Sequence, residues 1–98
     1  MSISLLIKSG TVVTTCGVVK TDVAVEGEKI VALGDASAFP KAERVVDAKG
    51  KIVIPGGIDT HSHFELFFMG EKPPETWDIA STASAIGGTT TTIDYTDP

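Results

Sequence analysis

"KIVIPGGIDTHSHFELFFMG", Lys51 to Gly70, is the stretch on which the fold turns. An apolar run stops at Pro55-Gly56-Gly57, the chain resumes with Ile58-Asp59, and both of the protein's histidines follow, His61 and His63. A backbone extended from Asp59 to His63 points residues 59, 61 and 63 to one side, because alternate side chains of a strand share a face. Two imidazoles then converge on one point. Neutral imidazole is a common ligand of zinc and similar ions, and Asp59 is placed to fix a ring tautomer or the turn. One solvated and one hydrogen-bonded histidine would also explain a bare His-x-His pair. The apolar run, the Gly-Gly corner and the acid two positions earlier favour a metal. A catalytic zinc typically takes three protein ligands and leaves a position for water. This chain offers the pair plus carboxylates, so further ligands are expected from sequence beyond it.

Upstream of this stretch the pattern is short and β-like. "LLIKSGTVVT" sets aliphatic and β-branched residues on either side of Ser9-Gly10, and "TDVAVEGEKIVALG" alternates apolar and polar residues around Gly27-Glu28. Glycine at the first central position of a two-residue turn suits a type II′ hairpin, which pairs Asp22–Glu26 with Lys29–Leu33. A further turn is expected at Lys49-Gly50 after "RVVDA". "KIVI" has the continuous apolar character of a strand buried on both faces, and Pro55-Gly56-Gly57 ends or kinks it before Ile58-Asp59. Downstream, a loop from about Phe64 to Pro74 precedes "ETWDIASTASAIGG", where Trp77, Ala80, Ala83 and Ile86 fall near helical spacing. Thr76 is its candidate N-cap and Gly87-Gly88 its stop. Trp77 is expected in the core. "TTTTIDY" is β-branched and is expected to form the next strand. Strand, loop, helix, strand is a βαβ unit with parallel strands. The expected organisation is a β-sheet segment over 1–53 and the start of a parallel α/β fold over 54–98. One βαβ unit does not bury both faces of a parallel sheet, so the chain is read as the front of a larger protein. Active sites of such folds lie at the C-terminal ends of their strands, where His61 and His63 would stand.

Composition narrows the function classes. The 98 residues carry 42% hydrophobic and 21% charged side chains and a net charge of −5, with a positive mean hydropathy. That is globular rather than disordered, and without a basic cluster nucleic acid is not an expected partner. No apolar run approaches the roughly 20 residues that span a bilayer, and "MSISLLIKSG" lacks the features of a signal peptide. No membrane partner is expected, and the cytoplasm is the expected compartment. The single Cys16 is expected to be a half-buried residue of a β-rich stretch.

"VIPGGIDTHSHFELFFMG" resembles the first-strand motif of the amidohydrolase superfamily, in particular its cyclic-amide branch of hydantoinases and dihydropyrimidinases. "GTVVT", "DVAVEGEKIVALG", "VVDAKGKIVIPG" and "AIGGTTTTIDY" extend the resemblance over essentially the whole chain. It implies the N-terminal part of a composite β-sandwich, followed by the first βαβ unit of a (β/α)8 TIM-type barrel. It also implies that His61 and His63 bind one of two divalent ions, most often zinc, bridged by a carbamylated lysine. That lysine, two further histidines and a catalytic Asp would come from later strands, so no catalytic residue lies within this chain, which by itself is not expected to turn over substrate. The implied reaction opens cyclic amides or ureides such as hydantoins and dihydropyrimidines to N-carbamoyl amino acids, in a homo-oligomer, a tetramer by resemblance.

Dihydroorotases usually carry Arg two residues after the second His, where this chain has Glu65. An anionic side chain there would repel a substrate carboxylate, which favours a neutral ring; a solvated loop acid is the alternative. Among Leu66, Phe67, Phe68 and Met69, the resemblance implies substrate contacts from Leu66, Phe67 and Met69; plugging a barrel mouth is the other role open to them. Asp94, near the end of the second strand, is an acid at the active-site end, where a turn or helix-cap role is the favoured expectation. Two other function classes are a non-catalytic dihydropyrimidinase-like scaffold, whose relatives typically lose the metal histidines, and a truncated inactive fragment.

Overall fold

In the computed structural model the structure describes residues 1–65, 70–71 and 76–95. They form mostly β-strands with one α-helix and divide into two compact units, Met1–Pro55 and Gly56–Pro98.

The first unit is a five-stranded mixed sheet. Strands β1 (Leu5–Thr14), β2 (Gly17–Glu26) and β3 (Lys29–Gly34) form an antiparallel meander. Strands β4 (Arg44–Asp47) and β5 (Ile52–Val53) both run parallel to β1, one beside each half of it. The hairpin expected at Gly27-Glu28 is present: Glu26 pairs with Lys29, and Gly27 takes the positive φ of 61° that the first position of a type II′ turn demands. The Lys49-Gly50 turn is also present, closed by the Lys51 N–H donating to the Ala48 carbonyl at 2.9 Å with Gly50 at φ 76°.

β1 stays one strand through Ser9-Gly10 because it carries a bulge there. Ile7 faces Val23 and Gly10 faces Thr21, so Lys8 and Ser9 together oppose Asp22. Ser9 has φ 64°, and its N–H donates to Asp22 Oδ1 at 2.7 Å. Asp22 Oδ2 accepts from the Ala36 N–H at 2.7 Å, tying the bulge to the short 3-10 turn Ala36–Ala38. Ile3, Leu6 and Ala24 form the core under that turn, packed against Ala32, Ala36, Phe39 and Ala42. Leu6, Ala24 and Ala32 are cross-strand neighbours, so one face of the sheet supplies this core.

Two expectations fail in this unit. "KIVI" is not a doubly buried strand, and the chain does end its strand before the Pro-Gly-Gly corner, the first of the two readings open there. Only Ile52–Val53 is strand, it pairs with β1, and Ile52 and Ile54 are 71% and 67% exposed. A short apolar run does not reveal which strand it will pair with, and here the lone free edge of β1 captures it. Cys16 is exposed rather than half-buried, because it lies in the turn between β1 and β2.

The second unit holds β6 (Gly57–Ser62), α1 (Trp77–Ile86) and β7 (Thr89–Asp94), with β6 and β7 parallel as the element order implied. Thr76 caps α1: its Oγ1 accepts from the Ile79 N–H at 3.4 Å. Asp78 lies in the first turn, where the helix dipole favours an anion. At the other end the Gly87 N–H donates to the Ala83 carbonyl at 3.0 Å, and Gly88 turns the chain away at φ 93°. Trp77, expected in the core, is 45% exposed in this unit; its ring packs edge-on against Phe64 with centroids 4.9 Å apart.

Candidate metal centre

β6 ends in the histidine pair. The extended backbone brings His61 and His63 to one side, with ring centroids 4.8 Å apart, edge to face, and Nε2 to Nε2 at 2.9 Å. Both rings are exposed. His63 Nδ1 lies 3.1 Å from the Tyr95 carbonyl oxygen. A carbonyl only accepts, so Nδ1 of His63 carries a proton. With Nδ1 protonated, a neutral His63 ring has its lone pair at Nε2, on the side of His61. The ring that Tyr95 orients is thus the one already in the metal-ligating tautomer.

The spacing suits a shared ion. With zinc–nitrogen bonds of about 2.0–2.1 Å and a tetrahedral angle, two ligand nitrogens stand about 3.3 Å apart. The rings need to open by about 0.4 Å from this geometry to share an ion. Among the described residues no group of three or more His, Cys, Asp or Glu side chains could hold an ion, so the pair alone is a partial ligand set.

Asp59 acts on backbone rather than on a ring: its Oδ1 accepts from the His61 N–H at 3.0 Å. Ser62, between the two histidines, is the buried polar residue of this segment at 6% exposure. Its hydroxyl lies 3.2 Å from the Ile93 carbonyl and 3.4 Å from Asp94 Oδ1. Asp94 Oδ1 also accepts from the Phe64 N–H at 2.8 Å. Asp94 is therefore neither turn nor helix cap, as expected from sequence, but a cross-strand acceptor. Glu65, at φ 56°, accepts from the Trp77 N–H at 2.6 Å through Oε1. Its carboxylate is engaged at the start of α1, where the helix's free N–H groups point. Leu66, Phe67 and Met69, expected to contact substrate, lie outside the described residues.

No family model matches the chain. It is 41% identical over 91 residues to a D-hydantoinase of Ralstonia pickettii, covering 93% of this chain and 20% of that protein. It is 43% identical over 95 residues to a dihydropyrimidinase of Dictyostelium discoideum, covering 97% and 19% respectively. The solved structure of a D-hydantoinase (dihydropyrimidinase) from Thermus sp. superposes with a TM-score of 0.85 at 42% identity, over 96% of this chain and 20% of that one. The chain is thus similar over nearly its whole length to hydantoinases and dihydropyrimidinases. It spans about a fifth of the length of the curated relatives it matches.

Within this hydantoinase-like segment, Tyr95 is the site residue that sequence reasoning missed. The ring lies 4.7 Å from that of His61, the carbonyl meets His63, and the N–H donates to the Ser62 carbonyl at 2.9 Å. The available signal was topological: two parallel strands in register at Ser62 and Asp94 put the next residue of one beside the next residue of the other.

Proposed function

We propose that this chain is the metal-binding front part of a hydrolase that opens neutral cyclic amides or ureides, hydantoins and dihydropyrimidines, to N-carbamoyl amino acids. The observation that carries this reading is the His61–His63 pair, converged at 2.9 Å at the end of a parallel strand, in a chain similar to hydantoinases over nearly its whole length. His61 and His63 hold one of two divalent ions through Nε2, with zinc the best match to an all-nitrogen contribution. Asp59 fixes the backbone of His61, and Tyr95 holds the ring of His63. A bridging carbamylated lysine, two more histidines and a proton-transferring Asp come from the rest of the protein. Bound there, divalent ions supply a hydrolytic nucleophile near neutral pH and polarise the carbonyl under attack.

The fold that completes this site is a (β/α)8 barrel entered at β6, with the first unit contributing to a β-sandwich. Ile58 on β6, Ile79 and Ile86 on α1 and Ile93 on β7 are all exposed, as befits a parallel unit whose covering layers lie in further sequence. No helix among the described residues is long and apolar enough to cross a membrane; a cytoplasmic homo-oligomer is the proposed setting.

Leu66, Phe67 and Met69 are proposed to contact the substituent of the substrate ring. An apolar pocket discriminates by about 1–3 kcal/mol per methylene-sized change, a 10- to 200-fold shift. Ring opening by the full-length protein is followed by loss of ultraviolet absorbance. Trimming Leu66, Phe67 or Met69 to Ala is expected to lower kcat/KM for a phenyl- or isobutyl-substituted hydantoin by about 10-fold or more, with little change for unsubstituted dihydrouracil. An equal fall on both substrates would assign these side chains to support of the site's rim.

A further inference from the structure

We infer that Asp94 is a positioning residue for the metal pair, bracing His63 from the neighbouring strand; the inference rests on His61 and His63 being metal ligands. Its Oδ1 receives the Phe64 N–H, immediately after His63, at 2.8 Å, and stands 3.4 Å from the hydroxyl of Ser62, immediately before it. The next residue, Tyr95, completes the grip: its N–H meets the Ser62 carbonyl and its own carbonyl takes the His63 ring N–H. Asp94 and Tyr95 thus hold the backbone on both sides of His63 and the ring itself.

The brace matters because the strand ladder is weak at this point. The β6–β7 register slips between Asp59 and Ser62, after which Ser62 opposite Asp94 is the last pair. His63 lies beyond the end of β6, so ordinary ladder bonds do not fix it. A carboxylate suits the task because it only accepts, and a bond from N–H or O–H to an ionised acceptor is about twice as strong as a neutral one. Its position is also specific. Ser62 faces away from the two imidazoles, by strand alternation, so the brace grips the strand from the side opposite the ion. Asp94 therefore acts through the ligands and is not itself a ligand.

The test is zinc titration of the apo form of the full-length protein, with the melting temperature measured on the same samples. Loss of a partner that orients a metal ligand typically weakens metal binding about 10- to 100-fold. Asp94→Ala is expected to raise the zinc dissociation constant within that range while the melting temperature of the apo protein changes little. Asp94→Asn, whose amide oxygen still accepts both bonds, is expected to recover most of the affinity. Asp94→Glu keeps the charge but displaces the oxygen and is expected to bind zinc as poorly as the Ala variant. Parental zinc affinity in Asp94→Ala or Asp94→Glu would overturn the inference. Should Asp94→Ala not fold, the Glu and Asn variants decide it: weak zinc binding by Glu with near-parental binding by Asn supports positioning, and weak binding by Asn would show that the charge, not the geometry, is what zinc requires. A parent protein that binds no zinc would instead remove the proposed function, an outcome distinct from a parent that binds zinc indifferently to residue 94.

Discussion

His61→Ala and His63→Ala, each made in the full-length protein, are expected to lose at least one bound metal ion and to lower ring-opening activity by well over the roughly 100-fold that loss of an outer partner costs. On the proposed reading each imidazole supplies one of the few bonds to the ion, and the other has no third ligand beside it among the described residues. The fold should survive. Both rings are exposed in this segment, and ligands that project from a strand end contribute little to the core. His61→Ala has a smaller structural footprint than His63→Ala, because only His63 also bonds to the backbone of Tyr95. Elemental analysis beside circular dichroism checks the pair: folded, metal-poor protein is expected, and parental metal content in both variants would return the histidines to a surface role.

Gly56→Ala should be the most damaging single methyl group in the chain. A Cβ at position 56 would overlap Thr90 Oγ1 and lie 2.5 Å from Thr90 Cγ2 and 2.7 Å from its Cβ. At Gly10 the corresponding close contact is with Val53 Cγ2, at 2.5 Å, the tip of one side chain that can turn. At Gly56 the Cβ of Thr90 itself is too near, so a rotamer change cannot clear the clash and β7 must move relative to the Gly-Gly corner. Forcing a methylene-sized group into packed space costs about 1–3 kcal/mol. The gain from a stiffer unfolded chain when Gly becomes Ala is only about 0.4–1 kcal/mol, so the net effect is a loss. About 2 kcal/mol, toward the upper part of the range once that gain is subtracted, is expected in urea unfolding of the full-length protein. Thr90→Ala removes two of the three clashing atoms, so adding it to Gly56→Ala should recover part of the loss. Unchanged stability of Gly56→Ala would mean that β6 and β7 do not approach as described.

The features legible in the sequence were those set by local chemistry. Gly27 marks its turn because a two-residue hairpin needs positive φ there, Thr76 marks a helix start because its hydroxyl replaces a missing acceptor, and Gly88 marks the exit. The His-x-His pair was legible as a converging pair because strand alternation is a two-residue rule. What the sequence hid depends on partners far along the chain. "KIVI" was misassigned because four apolar residues carry no label for the strand they will join. Trp77 is expected in the core on size and spacing, whereas its ring meets the edge of Phe64 and stays 45% exposed in this unit. Asp94 and Tyr95 lie more than thirty positions from Ser62 and His63, and their grip follows from the parallel register of two strands, which no local motif spells out. Glu65, read from sequence for its charge, is in the fold bonded to the first N–H of α1, a partner twelve residues away that no local motif marks.

Removal and return of metal tests the central claim, that His61 and His63 make this chain the metal-binding part of a cyclic-amide hydrolase. Full-length protein stripped by a chelator should lose turnover of dihydrouracil or an unsubstituted hydantoin and should regain it when zinc or another divalent ion is added back. The same cycle applied to His61→Ala should restore neither metal nor rate. Turnover that persists in verified metal-free protein, or a fully metal-loaded parent that opens none of these rings, would contradict the account.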